Sequence, residues 1–121
     1  METLDKAYLA AKIADAMKAG DINLLDVRGV CNFTDCFVVA TCSASTLLRS
    51  TAHRIQKELR ELGVRPTDEN LTSSSWMLLD YGDIVVHLFH PDARQYYNLE
   101  GLWSAAKSLD WTSLTPKPVE V

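Results

Sequence analysis

The chain has 121 residues, of which 47% are hydrophobic and 23% are charged, so it resembles an ordinary globular protein rather than a disordered or membrane protein. No apolar run reaches the ~20 residues of a membrane helix, and acidic residues among the first twenty argue against a targeting peptide, so we expect a cytoplasmic protein without a membrane partner. A net charge of −4 predicts little direct contact with nucleic acid, and three cysteines without a CxxC pair are typical of reduced core residues.

A helix followed by two strands is predicted for the first forty residues. Thr3 can cap a helix over residues 4–18, and Gly20 can supply its C-terminal stop. The inward stripe of this helix is expected to be Leu9, Ile13, Ala16 and Met17. Residues 22–28 alternate as a strand, and the run 36–40 is apolar on both faces. Such a run predicts a central strand that is covered by helices on both sides or buried by partner elements.

A long amphipathic helix is predicted next. Ser43 or Ser45 can cap it, and Gly63 ends it shortly before Pro66. Its inner face is expected to be Leu48, Ile55, Leu59 and Leu62. Residues 64–75 are polar and weakly patterned, which leaves room for one short strand at most.

A hairpin is predicted from two strand-like runs, residues 76–79 and 84–89. They are joined by four residues that include Gly82, which can adopt the positive φ of a tight turn. Beyond the hairpin, Pro91 and Asn98 can each begin a short helix. Together these elements predict an α/β fold with a mixed β-sheet and helices packed on it.

One domain over residues 1–106 accounts for this pattern, because no repeat or linker interrupts it. Residues 107–121 are expected to form a flexible C-terminal tail, frayed or laid over the surface, since Pro116 and Pro118 punctuate it. Trp111 is the expected anchor of this tail.

Two clusters could carry metal chemistry. Asp80 and Asp83 flank the hairpin turn, but a nucleotidyltransferase would need two acids two positions apart on one strand together with a Gly-Ser loop, which the chain lacks. His87 and His90 stand three apart on a strand and therefore face opposite sides. We favour turn chemistry and packing for these residues and expect no catalytic residue, metal or cofactor; a metal-dependent enzyme stays the alternative.

A mildly basic stripe follows one face of the long helix. It consists of Arg49, His53, Gln56 and Arg60. Glu58 and Glu61 dilute its charge and no aromatic residue is interleaved, so an ordinary solvated surface is favoured over an RNA contact.

Aromatic and acidic residues are concentrated on the hairpin and just after it. The candidate partner-binding residues are Trp76, Leu78, Asp80, Tyr81, Asp83, His87, Phe89 and Arg94. Aromatic residues and arginine beside polar neighbours are typical of a binding hot spot, although core filling explains some of them equally well.

The segment from Trp76 to Trp103 resembles the signature of the Iojap/RsfS silencing factors. Leu25-Asp-Val-Arg-Gly29 and the segment from Thr34 to Thr41 resemble the same family. Two departures are Asp68-Glu69-Asn70, where the family often has Glu-Gly, and Gly101, where it usually has Arg or Lys.

This resemblance implies a fold similar to that of nucleotidyltransferases, without their catalytic acids. It also implies binding to a ribosomal protein on the intersubunit face of the large ribosomal subunit, which blocks association with the small subunit and represses translation under nutrient limitation. A role in large-subunit assembly, known for organellar relatives, is an alternative. A homodimer also stays open, because a hairpin at a sheet edge can pair with its own copy.

Overall fold

Two long helices and six strands are formed by the residues that the computed structural model describes, which are 2–30, 32–73, 75–93, 106–109 and 111. In chain order they are α1 (Thr3–Ala16), β1 (Gly20–Asp26), β2 (Cys36–Thr41), α2 (Ser45–Glu61), β3 (Asp68–Asn70), β4 (Trp76–Asp80), β5 (Ile84–Phe89) and β6 (Lys107–Leu109). The predicted order is confirmed as far as β5, and β3 is the short optional strand. Residues 91–93 are helical, as predicted, whereas the helix expected at Asn98 lies outside the described residues.

All six strands belong to one mixed sheet, in the order β3-β4-β5-β2-β1-β6. β2 and β5 are parallel and are linked by a crossover that includes α2. The other neighbouring strands are antiparallel. The apolar run of β2 is central, as predicted, because a strand in mid-sheet is buried on both faces. The predicted α/β class is confirmed.

Each face of the sheet has its own hydrophobic cluster. α1 and α2 pack on one face, where Val38 of β2 joins the larger cluster. On the opposite face, Phe37 and Val39 join a smaller cluster that includes Val85 and Ala93. We call these the helix side and the far side of the sheet. Among the described residues, neither helix has the length and apolarity that a bilayer crossing requires.

The ends of α1 differ from the prediction. Glu2 rather than Thr3 occupies the N-cap position, since Thr3 is helical and its hydroxyl is bonded to Asp83 instead. At the other end, Gly20 was expected to stop the helix, but it is the first residue of β1. The left-handed conformation near the helix end is adopted by Lys18, whose φ is 71°. Ala16 is exposed, so the predicted inward stripe is partly wrong. The buried residues are Ala7, Tyr8, Ala10, Ala11, Ile13 and Ala14. Four alanines make up most of this buried face, and such small side chains give the apolar pattern little contrast.

The start of α2 also differs from the prediction, and its end agrees. Ala44 is the N-cap residue and makes no side-chain cap, so the predicted serine cap is wrong. Gly63 has a φ of 82° and ends the helix as predicted, because it can adopt this conformation without strain. Leu62 was expected to face inward but is 37% exposed, since it is the C-cap residue, just beyond the last helical turn.

The described part of the predicted tail adds a strand to the sheet. Residues 107–109 pair with β1 as the edge strand β6. The indole Nε1 of Trp111 donates to the Ile22 carbonyl at 3.1 Å, and the Lys12 ammonium lies 5.6 Å from the centre of the indole ring. Trp111 is therefore an anchor, as predicted.

Candidate binding site on the hairpin

The hairpin of β4 and β5 is closed by a turn that its own side chains support. A carboxylate oxygen of Asp80 accepts the Gly82 N–H at 2.8 Å, and Gly82 has the predicted positive φ, 88°. The Tyr81 N–H donates to the Ile84 carbonyl at 2.8 Å. This confirms the predicted hairpin and the turn chemistry assigned to Asp80.

One face of β4 and its neighbour β3 is partly exposed on the far side of the sheet. Trp76, Leu78 and Asp80 alternate along β4, so they project to the same side. β3 adds Asp68 opposite Asp80 and Asn70 opposite Leu78. We call these five residues the hairpin face. It presents an indole, a leucine and two carboxylates, a combination of apolar and anionic groups.

Trp76 is held in place by buried rings of β5. Its indole stacks on Phe89 at a centroid distance of 5.2 Å and on His87 at 5.9 Å. The indole Nε1 also donates to His87 Nδ1 at 3.2 Å. Phe89 is fully buried and His87 is 5% exposed, so both lie behind the hairpin face.

His87 is a neutral buried histidine. Burial lowers its pKa to about 4, and the edge-to-face contact with Phe37 at 5.0 Å leaves it in an aromatic environment. Because Nδ1 accepts the Trp76 hydrogen bond, the proton of the neutral ring belongs on Nε2. In the part of the chain that the structure describes, this Nε2 is a buried donor without a hydrogen-bond acceptor.

Tyr81 and Asp83 connect the turn to the helix side. Burial would raise the pKa of the Asp83 carboxyl, but hydrogen bonds from Lys6 and Thr3 of α1 outweigh that effect and lower it. The Lys6 ammonium lies 2.7 Å from one Asp83 oxygen, and the Thr3 hydroxyl donates to the same carboxylate at 2.7 Å. Tyr81 is buried in the helix-side cluster, and burial raises the pKa of its hydroxyl to about 12.

The eight candidate residues from the sequence therefore fall into separate groups. Trp76, Leu78 and Asp80 share the hairpin face, His87 and Phe89 support it, and Tyr81 and Asp83 are attached to the helix side. Arg94 lies outside the described residues. Sequence reasoning missed Asp68 and Asn70 because β3 is too short to show a strand period.

The carboxylates of Asp80 and Asp83 are engaged in different interactions. Asp80 accepts a hydrogen bond inside the turn, whereas Asp83 pairs with Lys6 of α1. Within the described ranges, no group of three histidine, cysteine or acidic side chains is arranged to hold a metal ion. The two carboxylates therefore do not face a common site.

Comparison with known proteins shows which family the sequence matches. Residues 1–120 match the family described as ribosomal silencing factor during starvation, RsfS. The chain is 36% identical over 103 residues to the ribosomal silencing factor RsfS of Bacillus subtilis, covering 84% of this chain and 87% of that protein. It is 33% identical over 109 residues to the chloroplastic protein Iojap of Arabidopsis thaliana, covering 90% of this chain and 46% of that protein.

Solved structures share the fold over most of the chain. A crystal structure of a protein from Chromobacterium violaceum matches with a TM-score of 0.82 and 28% identity, covering 98% of both chains. A crystal structure from Bacillus halodurans matches with a TM-score of 0.73 and 32% identity, covering 84% of this chain and 93% of that one. The sheet and helices described above are therefore similar to those of solved proteins.

Proposed function

The chain belongs to the ribosomal silencing factor family, and from this premise we propose that it binds a ribosomal protein on the intersubunit face of the large ribosomal subunit. Its bulk then blocks association with the small subunit and represses translation under nutrient limitation. It acts in the cytoplasm, by binding and without catalysis. The family match over residues 1–120 is the observation that carries this proposal.

The hairpin face is the surface we assign to this contact. Trp76 and Leu78 are partly exposed, so a partner can bury the remainder of both side chains. Stacking on Phe89 and the bond to His87 already fix the orientation of Trp76. A side chain fixed in advance loses little conformational entropy on binding, which favours a hot spot here.

The charge of the hairpin face indicates the chemistry of the partner. Asp68 and Asp80 lie opposite each other on β3 and β4, so two carboxylates meet at the end of the apolar pair. Like charges in directly opposite positions repel each other, and a cationic partner group would relieve that repulsion. A lysine- or arginine-rich patch of a ribosomal protein supplies such groups.

The proposal can be tested with purified large subunits. Replacing both Trp76 and Leu78 by alanine should weaken binding by at least about 2 kcal/mol, roughly thirtyfold, if these residues form a hot spot. Phe33→Ala is the matched control, since Phe33 is 62% exposed in the β1–β2 loop and lies outside the hairpin face. Affinity is measured by co-sedimentation, and circular dichroism checks that the variants are folded.

Subunit association supplies the functional readout. When large and small subunits are mixed, the wild-type protein should lower the light scattered by joined ribosomes, and the folded double variant should not. Binding of that variant at wild-type affinity would remove the hairpin face from the mechanism. Normal subunit joining in the presence of saturating wild-type protein would contradict steric exclusion itself.

A further inference from the structure

Positive charge is concentrated in one segment of this acidic chain. Residues 45–65 contain five of the twelve lysines and arginines but only two of the sixteen acids, a net charge of +3. The rest of the chain therefore has a net charge of −7, and the two parts together give the total of −4. The net charge of the whole protein hides this division.

The basic side chains form a continuous surface on α2. At 100° per residue, Arg49, His53 and Arg60 lie within roughly 40° of one another, and Lys57 flanks them. All four are exposed. Glu58, by contrast, is bonded to Arg54 on the far flank of the helix. Glu61 is also exposed and lies one turn from Lys57, so the part of the stripe without a neighbouring acid is formed by Arg49, His53 and Arg60.

Most of these cations lack a carboxylate partner. Of the ten described lysines and arginines, Lys6, Arg28 and Arg54 form ion pairs and the other seven form none. Four of these seven lie in the segment 45–65, namely Arg49, Lys57, Arg60 and Arg65. We call these last four residues the basic surface. An unpaired cation remains available to an external anion, whereas a paired one must first break its own ion pair.

A polar cleft of about 420 Å³ continues the basic surface between α2 and β3. Its lining residues are Gln56, Arg60, Arg65, Pro66, Thr67, Asp68 and Glu69. The Glu69 carboxylate accepts a hydrogen bond from the Gln56 amide at 2.6 Å, and an Asp68 oxygen accepts the Glu69 N–H at 2.9 Å. Both acids keep their negative charge, and neither forms an ion pair with Arg60 or Arg65 among the described residues.

We propose that the basic surface binds the phosphate backbone of a structured RNA duplex. The span from Arg49 to Arg60 is about 17 Å of helix, which matches several phosphates at roughly 3.4 Å per step along a strand. None of the described residues of the basic surface and its cleft is aromatic, so they offer no stacking platform for unpaired bases, and the apolar side of α2 is buried on the sheet. A single-stranded RNA partner and a membrane surface are therefore less suitable than a duplex.

The basic surface adjoins the hairpin face, so both can be used at once. Thr67, in the cleft, donates its N–H to the Asp80 carbonyl at 2.7 Å and its hydroxyl to the same oxygen at 3.0 Å. An acidic surface for a protein and a basic surface for RNA then meet at the β3 edge of the sheet. The RNA contact rests on the proposed function only in that the ribosome is the source of the duplex.

The salt dependence of large-subunit binding tests this inference. Each phosphate contact contributes about −0.9 to the slope of log affinity against log salt, so two to three contacts predict a wild-type slope of about −2 to −3. Replacing Arg60 and Arg65 by glutamine should make the slope shallower by about 2 and weaken binding about tenfold at low salt. The matched control replaces Lys18 and Lys107 by glutamine, since both are exposed, lie outside the basic surface and change the net charge equally.

A synthetic RNA duplex of about 20 base pairs separates this inference from the proposed function. Wild-type protein should bind it weakly at about 50 mM salt, and the Arg60 and Arg65 variant should bind at least about fivefold more weakly than the lysine control. If both variants show the wild-type slope and the duplex does not bind, the RNA contact is wrong while hairpin-dependent subunit binding stands. If the duplex binds through these arginines but large subunits do not bind, the inference stands and the proposed function fails.

Discussion

Lowering the pH from 7 to 5 should destabilise the folded protein through His87. This imidazole is 5% exposed, and burial lowers its pKa from about 6.5 to about 4 in the folded state. The unfolded chain therefore takes up a proton below about pH 6.5 that the folded chain does not bind until about pH 4. The stability contributed by the neutral ring is complete above the unfolded pKa and falls as the pH drops through this window.

The size of the effect follows from the two pKa values. Linkage between 6.5 and about 4 gives a loss of about 2 kcal/mol from pH 7 to pH 5, and about 3 kcal/mol once the folded ring is also protonated. Most aspartates and glutamates titrate below pH 5, so histidine dominates the upper part of the window. Urea unfolding at a series of pH values measures the free energy of unfolding directly.

Two variants make this prediction specific. His87→Leu should lose most of the pH dependence between 7 and 5, since the variant retains no imidazole at the buried position. His53→Asn should keep the wild-type dependence, because it removes a histidine on α2 and leaves His87 in place. Equal stability of the wild-type protein at pH 7 and 5, or an unchanged dependence in His87→Leu, would refute the reasoning.

Two further predictions concern stability. Asp83→Asn should cost about 1–2 kcal/mol, because the Lys6 ammonium, 13% exposed, loses its ion-pair partner; a double-mutant cycle with Lys6→Met, measured by urea unfolding, should show about 1 kcal/mol of coupling, and additive effects would contradict a stabilising contact. Lys18→Gly should raise the free energy of unfolding by about 0.5–1 kcal/mol, since a φ of 71° is sterically unfavourable for lysine, whereas glycine adopts it without strain. Lys18→Ala is its control, and a gain of the same size there would exclude the backbone explanation.

The sequence predicted those elements whose cause is local. The positive φ of Gly82 and the apolar runs on either side define the hairpin without reference to the rest of the chain. The same holds for Gly63 at the end of α2. The central position of β2 follows from its composition alone, since a strand with two apolar faces needs cover on both sides.

The predictions that were wrong concern residues whose structure depends on contacts with distant parts of the chain. Thr3 has a suitable side chain for a helix cap, but its hydroxyl is bonded to Asp83, eighty positions further along the chain. Residues 107–109 carry one apolar side chain and no strand signal, yet they pair with the free edge of β1. In both cases the structure depends on a contact with a distant part of the chain, which a local sequence pattern does not show.

The candidate site shows the same division between local and long-range information. The concentration of aromatic and acidic residues on the hairpin is visible in the sequence. Which of these residues lie on the far side of the sheet and which on the helix side follows only from the pairing of the strands. Trp76 and Asp80 share a face because they are four positions apart on one strand, whereas Asp83 lies beyond the turn and reaches α1. The charge of α2 needed structural information too, because the sequence does not show that Glu58 is paired with Arg54.

The buried His87 links the stability of the fold to the geometry of the proposed contact. A leucine at this position would avoid both the unpaired Nε2 and the loss of stability in acid, so packing alone does not explain a histidine. The imidazole does supply the acceptor for the Trp76 N–H, which a leucine lacks. We therefore expect His87→Leu to be at least as stable as the wild type at pH 5 and yet to bind large subunits about three- to tenfold more weakly, because its indole has to be ordered on binding. Wild-type affinity in that variant would mean that stacking on Phe89 alone positions Trp76.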